Sequence, residues 1–248
     1  MRRFTIAPDA IVDGRVTFDE SQSRHLARVL RLRAGDTVVA TDGAGHDYTV
    51  RLEVLAARVT GTVVTESTGS AESPLTITLV QGIPKADKME AIVRAATELG
   101  VAHVRPALTA RTVVRLAASA AVERAARWQR VAREASKQCG RAVVPVVAPP
   151  APLSTCLEAA RTTDLALCLW EGGGPPLATA WPDTPVRRAA VLIGPEGGLE
   201  ASEVEAARGA GWRVVNLGAR VLRTETAGPA IIAILQARFG DLGGDGGR

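Results

Sequence analysis

The sequence predicts an α/β protein with a parallel sheet, preceded by a small β-rich domain. Three observations carry this reading. Short apolar runs at residues 189–193 and 213–217 each end in a glycine-bearing loop that leads into a helical pattern. Residues 75–106 run strand, helix, strand, and such a unit requires parallel pairing. Residues 1–66 instead show short alternating runs broken by turn signals.

Within residues 1–66, the runs at 37–40, 48–52 and 58–65 read as strands. Ala34-Gly35-Asp36 and Asp42-Gly43-Ala44-Gly45 separate them. One helix interrupts the strands, with Asp19 or Ser21 as its cap and Leu26, Val29 and Leu30 as its apolar stripe. Its other face carries Arg24, His25, Arg28 and Arg31, with Arg33 just beyond, and no acid lies between Glu20 and Asp36. Such a face is either neutralised by acids from elsewhere or meets a polyanion. The local absence of acids favours RNA. Residues 67–74 are small, polar and Pro-terminated, which places a domain boundary there and divides the chain into residues 1–70 and 71–248.

The second part opens with a strand at 75–81, a helix at 85–99 stopped by Gly100, and a strand at 101–106. A helix over 120–139 follows, closed by Gly140. Its face of Arg127, Arg130, Arg133 and Lys137 suits a phosphate backbone, and Trp128 is the one tryptophan of four placed to stack on a base. A buried strand at 165–170 leads to Glu171-Gly172-Gly173-Gly174, the first of three loops on one sheet edge. The second is Gly194-Pro195-Glu196-Gly197-Gly198. The third runs Leu217-Gly218-Ala219-Arg220-Val221-Leu222-Arg223-Thr224-Glu225-Thr226-Ala227, before an apolar helix at 227–239 that fits a core or an interface. The carboxyl edge of a parallel sheet is where α/β proteins bind ligands. No Lys-Ser or Lys-Thr follows these glycines and no G-x-G-x-x-G spacing occurs, so neither a P-loop nor a dinucleotide fold is indicated. A ligand here would be held mainly by backbone amides and carbonyls.

Composition narrows the function classes. The 248 residues are 46% hydrophobic with net charge +4. Residues 84–145 hold twelve Lys and Arg against five acids, so the basic excess lies mid-chain, either as a phosphate-facing surface or as a solvated helix face. Three cysteines without C-x-x-C spacing read as reduced thiols of a cytoplasmic protein. His25, His46 and His103 are isolated and no carboxylate or thiol recurs at ligand spacing, so no metal site is expected. No G-x-S-x-G elbow supports hydrolase chemistry. No apolar stretch reaches membrane-spanning length, no signal peptide is expected, and residues 240–248 read as a frayed tail.

Gly-Pro-Glu-Gly-Gly and Leu-Gly-x-Arg-Val-Leu-Arg-Thr-Glu-Thr-Ala together resemble the two C-terminal motifs of the SPOUT methyltransferases. More narrowly they resemble the ribosomal RNA small subunit methyltransferase E family, which methylates N3 of a uridine in 16S ribosomal RNA. The stretches 85–100 and 127–141 resemble that family too, and Arg24 to Asp36 resembles its N-terminal PUA-like RNA-binding domain. The resemblance implies a C-terminal trefoil knot binding S-adenosylmethionine, a small N-terminal β-barrel, and a homodimer formed through the knotted domain. It implies cofactor contacts from Leu169, Trp170, Glu171, Ile193, Gly194, Pro195, Glu196, Gly197, Gly198, Leu217, Gly218, Val221, Leu222, Thr224, Thr226 and Ala227. Arg223 is the candidate to stabilise a uridine anion or to hold the target nucleotide's phosphate, and Glu225 or Glu196 to accept the proton or orient a water, although Glu196 also suits a helix N-terminal charge partner and Glu225 a structural hydrogen bond within the knot. RNA contacts are expected from Arg24, His25, Arg28, Arg31, Arg33, Lys85, Lys88, Arg127, Arg130 and Lys137, with 16S ribosomal RNA or the assembled small subunit as partner. Two alternatives stand beside this reading: methylation of transfer RNA or of a ribose 2′-oxygen by the same fold, and a non-catalytic RNA-binding assembly factor.

Overall fold

A computed structural model describes residues 3–55, 58–68, 72–112 and 118–243. Residues 69–71 of the boundary segment, Arg115 of the basic stretch and residues 244–248 of the tail lie outside the described residues. The chain divides into two compact units: one holds the residues up to Glu72 together with Ser136–Val144, the other Ser73–Ala135 and the residues from Pro145 onward.

The first unit is a six-stranded sheet. Its strands are β1 (Arg3–Thr5), β2 (Ile11–Val12), β3 (Arg15–Thr17), β4 (Thr37–Thr41), β5 (His46–Leu55) and β6 (Val59–Thr68), in the order β1-β4-β5-β6-β3-β2. All pairs are antiparallel except β1 with β4. Period-two alternation buries Val38 and Ala40 of β4 and Val50 and Leu52 of β5 over Phe4, Val16, Phe18 and Leu26. Two register shifts between β5 and β6 bend the pair, which curls the sheet around this core. The mid-chain segment is tied in by Glu72, whose carboxylate accepts from the Arg141 guanidinium at 2.8 Å and the Val143 amide at 2.9 Å.

The basic helix of this unit departs from the sequence reading. Asp19, not Ser21, caps α1 (Glu20–Arg24), accepting from the Gln22 amide at 2.7 Å. The next turn, His25–Val29, is π-helical, with the Leu30 amide donating to the His25 carbonyl at 2.9 Å. The wider turn shifts the helical phase by one residue. Leu26 stays buried and Leu30 half-buried, but Val29 leaves the apolar stripe and stands 65% exposed.

The second unit is built on a seven-stranded, wholly parallel sheet. Its strands are β7 (Thr76–Gly82), β8 (Val101–Leu108), β9 (Val146–Val147), β10 (Ala151–Pro152), β11 (Leu165–Leu169), β12 (Arg188–Ile193) and β13 (Arg213–Val215). The order is β10-β8-β7-β12-β11-β13, with β9 also on β8. Helices α2 (Lys88–Glu98), α3 (Ala118–Cys139), α4 (Leu153–Leu157), α5 (Ala201–Gly209) and α6 (Thr224–Phe239) complete the α/β arrangement. Central β12 buries Ala189 through Ile193 without alternation, as a strand covered on both faces must.

Helix α2 starts at Lys88, three residues later than the periodicity implies, because Ala86 sits at φ 54° and interrupts the turn. Strand β13 stops at Val215, because Asn216 leaves the sheet to hydrogen-bond the 175–177 segment. Helix α6 starts at Thr224 rather than residue 227. Trp128 is 5% exposed, sharing the buried face of α3 with Ala125, Ala132 and Ala135, so it offers no surface for a base to stack on. Among the described residues no helix is long and apolar enough to cross a membrane, and no group of His, Cys, Asp and Glu could hold a metal ion.

Candidate active site

The three loops expected at one sheet edge do converge. They follow the carboxyl ends of β11, β12 and β13 and, with the start of α6, enclose a cavity of about 460 Å³, a volume that suits a small ligand. Fourteen of the sixteen expected cofactor residues lie on its wall, together with Arg223 and Glu225. The two that do not are Gly197 and Thr226. Gly197 turns outward and its carbonyl accepts from the Arg111 guanidinium, while Thr226 is exposed on α6.

The glycine-rich loop is shaped by close approach. At Gly194 a side chain would meet the backbone of Gly198 and Leu199 at 2.9 to 3.1 Å, so the loop could not fold back on itself. Gly198 adopts φ +73°, and a Cβ there would fall on the Glu171 carboxylate from the neighbouring loop.

The Thr224 hydroxyl is engaged within the protein. The residue is 6% exposed, and its Oγ1 donates to the Gly194 carbonyl at 2.7 Å and accepts from Gln81 Nε2 at 2.9 Å. Gln81, wholly buried at the end of β7, thereby ties the glycine loop to the first turn of α6. The α6 N-cap is Arg223, whose carbonyl receives the Thr226 and Ala227 amides, both at 2.9 Å. Its side chain is exposed on the cavity wall.

The cavity's acidic side is a three-membered cluster. Lys88 Nζ lies 3.1 Å from Glu196 Oε1 and 3.5 Å from Glu225 Oε2. The Lys85 amide donates to both Glu196 oxygens, at 3.1 and 3.2 Å. Burial pushes the Glu196 carboxyl up, but hydrogen bonds from its own amide, Lys88 and the Lys85 amide outweigh this and hold it below the usual carboxylate range. Glu196 is thus anchored to α2. Glu225 Oε2 is sealed from solvent, and Lys88 is its ion-pair partner at the longer distance without a hydrogen bond.

Lys88, expected from the sequence among RNA contacts, therefore belongs to the cavity. Asn216, Ala219 and Arg220 also line it. Ala219 and Arg220 stand within the motif that carried the resemblance. Asn216 could not be read from it: the residue acts by bridging loops, donating to the Gly174 carbonyl and accepting from the Gly218 amide.

The remaining basic residues are scattered. Arg24, His25, Arg28, Arg31 and Arg33 are exposed around the π-helical turn, with Arg24 paired to Glu20 at 2.9 Å. Lys137 lies over the Phe4 ring, 5.5 Å from its centroid, in the same unit. In the second unit the Lys85 side chain and Arg130 are exposed, but Arg127 is paired with Glu90 and, at 3.3 Å, with Asp87. Residue 127 is thus partly neutralised by α2, which spacing along α3 could not reveal.

Comparison with known proteins follows the same division. Residues 71–236 match the model of the RNA methyltransferase domain, and residues 18–58 that of the RNA methyltransferase PUA domain. The chain is 34% identical over 238 residues to ribosomal RNA small subunit methyltransferase E of Synechocystis, covering 95% of this chain and 77% of that one. It is 31% identical to the Bacillus subtilis protein of the same name over 82% of each. Among solved structures, ribosomal RNA small subunit methyltransferase E from Neisseria gonorrhoeae, bound to S-adenosyl methionine, superposes with a TM-score of 0.87 at 35% identity, covering 98% and 99% of the two chains.

Proposed function

The chain belongs to the ribosomal RNA small subunit methyltransferase E family, and on that premise we propose that it methylates N3 of a uridine in 16S ribosomal RNA, using S-adenosylmethionine. The observation that carries this reading is the cavity wall, where glycine-loop backbone, Arg223 and the Glu196–Lys88–Glu225 cluster meet within about 460 Å³. The fit to the cofactor rests on the same wall: the glycine loop, the 217–222 segment and the Glu171 loop, held beside Gly198 only because that position has no side chain, line a cavity sized for a small ligand.

Bound S-adenosylmethionine supplies an electrophilic methyl group on a sulfonium. The protein's tasks are to hold the acceptor nitrogen in line and to take one proton from it. N3 of uridine is an imide between two carbonyls, so deprotonation spreads charge onto both oxygens. Arg223, exposed on the wall, offers a fixed positive charge to those oxygens. Glu225 is the proton acceptor, because Glu196 is already committed to the Lys85 amide and Lys88. Residues 71–248 form the knotted catalytic domain, and residues 1–70 the PUA-like domain that brings RNA through Arg24, Arg28, Arg31 and Arg33. The enzyme works in the cytoplasm as a homodimer, with the apolar α6 at the interface.

The test is nucleoside mass spectrometry of 16S ribosomal RNA from cells lacking this protein, paired with calorimetry of the purified protein and S-adenosylmethionine. Loss of one N3-methyluridine, restored by the gene, is the expected result. Loss of a transfer-RNA or ribose methylation instead would move the substrate, and absence of cofactor binding would leave an RNA-binding assembly factor.

A further inference from the structure

The π-helical turn in the first unit does more than widen the helix after α1. It takes Val29 out of the apolar stripe and leaves it 65% exposed. Among the described residues of this unit, Val12 on β2 at 63% and the less exposed Val64 on β6 at 46% are the other bare large hydrophobics, and both sit on strands. Val29 stands instead between exposed arginines on either side in the chain: Arg24 and Arg28 before it, Arg31 and Arg33 after it. The ladder stays wide past the turn, with the Leu32 amide donating to the Leu26 carbonyl at 3.1 Å. Arg31 follows at φ 53°, a left-handed conformation that a non-glycine residue adopts at a cost. Single π turns and strained backbone both concentrate at functional positions. Here the two adjoin, and the segment they shape exposes one apolar side chain among four exposed arginines within five residues of it in the chain.

We infer that Val29 is the apolar seat for an unpaired nucleobase of the RNA substrate, with Arg24, Arg28, Arg31 and Arg33 taking the flanking phosphates. The chemistry selects this occupant. A polyanion meets Arg28, Arg31 and Arg33, and Arg24 in exchange for its exposed pair with Glu20, but a duplex presents phosphates and buries its base faces, leaving an exposed valine against water. An unpaired strand offers both phosphates and an apolar ring face. The inference rests on the proposed RNA-binding role of the N-terminal unit and adds the strandedness of what it binds.

The two kinds of contact separate by salt. A phosphate contact releases counterions, so losing one flattens the dependence of affinity on salt, whereas an apolar contact carries no such dependence. Binding of an unmodified 16S ribosomal RNA transcript to the full chain is measured across a salt series for the parent, Val29→Ser, Val29→Leu, Arg28→Gln and the triple variant Arg24→Gln, Arg28→Gln, Arg31→Gln. Val29→Ser should weaken binding about five- to tenfold, as expected when much of one valine side chain no longer leaves water. Its salt slope should match the parent's. Val29→Leu should bind at least as well as the parent. Arg28→Gln should weaken binding and flatten the slope. The exposed position predicts unchanged unfolding for both Val29 variants.

If the triple variant binds like the parent, the RNA-binding role of this unit fails and the inference falls with it. If the triple variant binds weakly but Val29→Ser matches the parent, or changes the salt slope, the inference alone is overturned. A fall in molecular mass of Val29→Ser by light scattering would also overturn it, by assigning the residue to contact with a second copy of the chain.

Discussion

Replacing Gly198 by alanine probes both the shape of the glycine loop and the neighbour that shape accommodates. Two separate costs follow from the geometry. Holding a non-glycine residue at φ +73° costs about 1–2 kcal/mol. The new Cβ would also fall on the Glu171 carboxylate, the far end of a flexible side chain. Glu171 can turn away, at about 0.5–1.5 kcal/mol for a displaced rotamer. Gly198→Ala should therefore lose about 1.5–3.5 kcal/mol of stability. In a Glu171→Ala background the second cost vanishes and the loss should shrink to about 1–2 kcal/mol. The difference is a coupling energy that a double-mutant cycle isolates. All four tryptophans, Trp128, Trp170, Trp181 and Trp212, lie in the second unit, so urea unfolding followed by their fluorescence reports on the unit that holds the loop. Calorimetry with S-adenosylmethionine on the same four proteins should show weaker binding in Gly198→Ala, because both displaced groups line the cavity. A Gly198→Ala protein as stable as the parent would refute the left-handed conformation. Strictly additive costs would refute the clash with Glu171.

Thr224→Val, nearly isosteric, removes the 2.7 Å bond to the Gly194 carbonyl and leaves that buried group only the 3.4 Å contact with Gln81 Nε2, so it should lower stability by about 1–3 kcal/mol, read by the same urea titration. Glu196 is held below its ordinary pKa in the folded chain, so it stabilises the fold above that ordinary value and loses the contribution as pH falls through the lower folded one. Glu196→Gln should accordingly be less stable than the parent at neutral pH and converge with it in acid, as measured by thermal unfolding at both. Arg223→Ala should lower turnover by about 10²-fold, the usual effect of removing a donor to a developing anion, and Arg223→Lys should restore part of it. The Ala variant should also recover as rising pH ionises the imide unaided, and normal turnover of Arg223→Ala at neutral pH would remove it from the chemistry.

Much of the second unit was legible because its signals are local. A continuous apolar run such as Ala189 to Ile193 can bury both faces only inside a parallel sheet, and glycines at its carboxyl end mark a backbone turning sharply. That logic places all three loops at one edge. The errors came where one residue's backbone decided the outcome. Ala86 at φ 54° delays α2, and nothing in Pro-Lys-Ala-Asp announces a left-handed alanine. The π turn that exposes Val29 is equally silent, because its neighbours Leu26 and Leu30 satisfy an ordinary helical stripe.

Side-chain roles at the site were less legible than its position, for a related reason. Hydroxyl, carboxylate and ammonium groups gain their function from partners far along the chain. The motif marks Thr224 as a cofactor contact, because the sequence shows only what lies beside it, a helix start. Its partners Gln81 and Gly194 lie 143 and 30 residues away. Lys88 looked like one more cation of a basic stretch, yet Glu196 and Glu225, from two other elements, make it part of the cavity wall. The same cluster divides the two candidate bases. Glu196 receives the Lys85 amide and the nearer Lys88 contact, which spends its lone pairs on the protein. Glu225 keeps one oxygen with no hydrogen bond, held toward the same ammonium at 3.5 Å. Glu225, on the first turn of α6 next to Arg223, is thus the less committed of the two proposed bases, and its sealed Oε2 must come free of the Lys88 contact before it can meet a substrate proton.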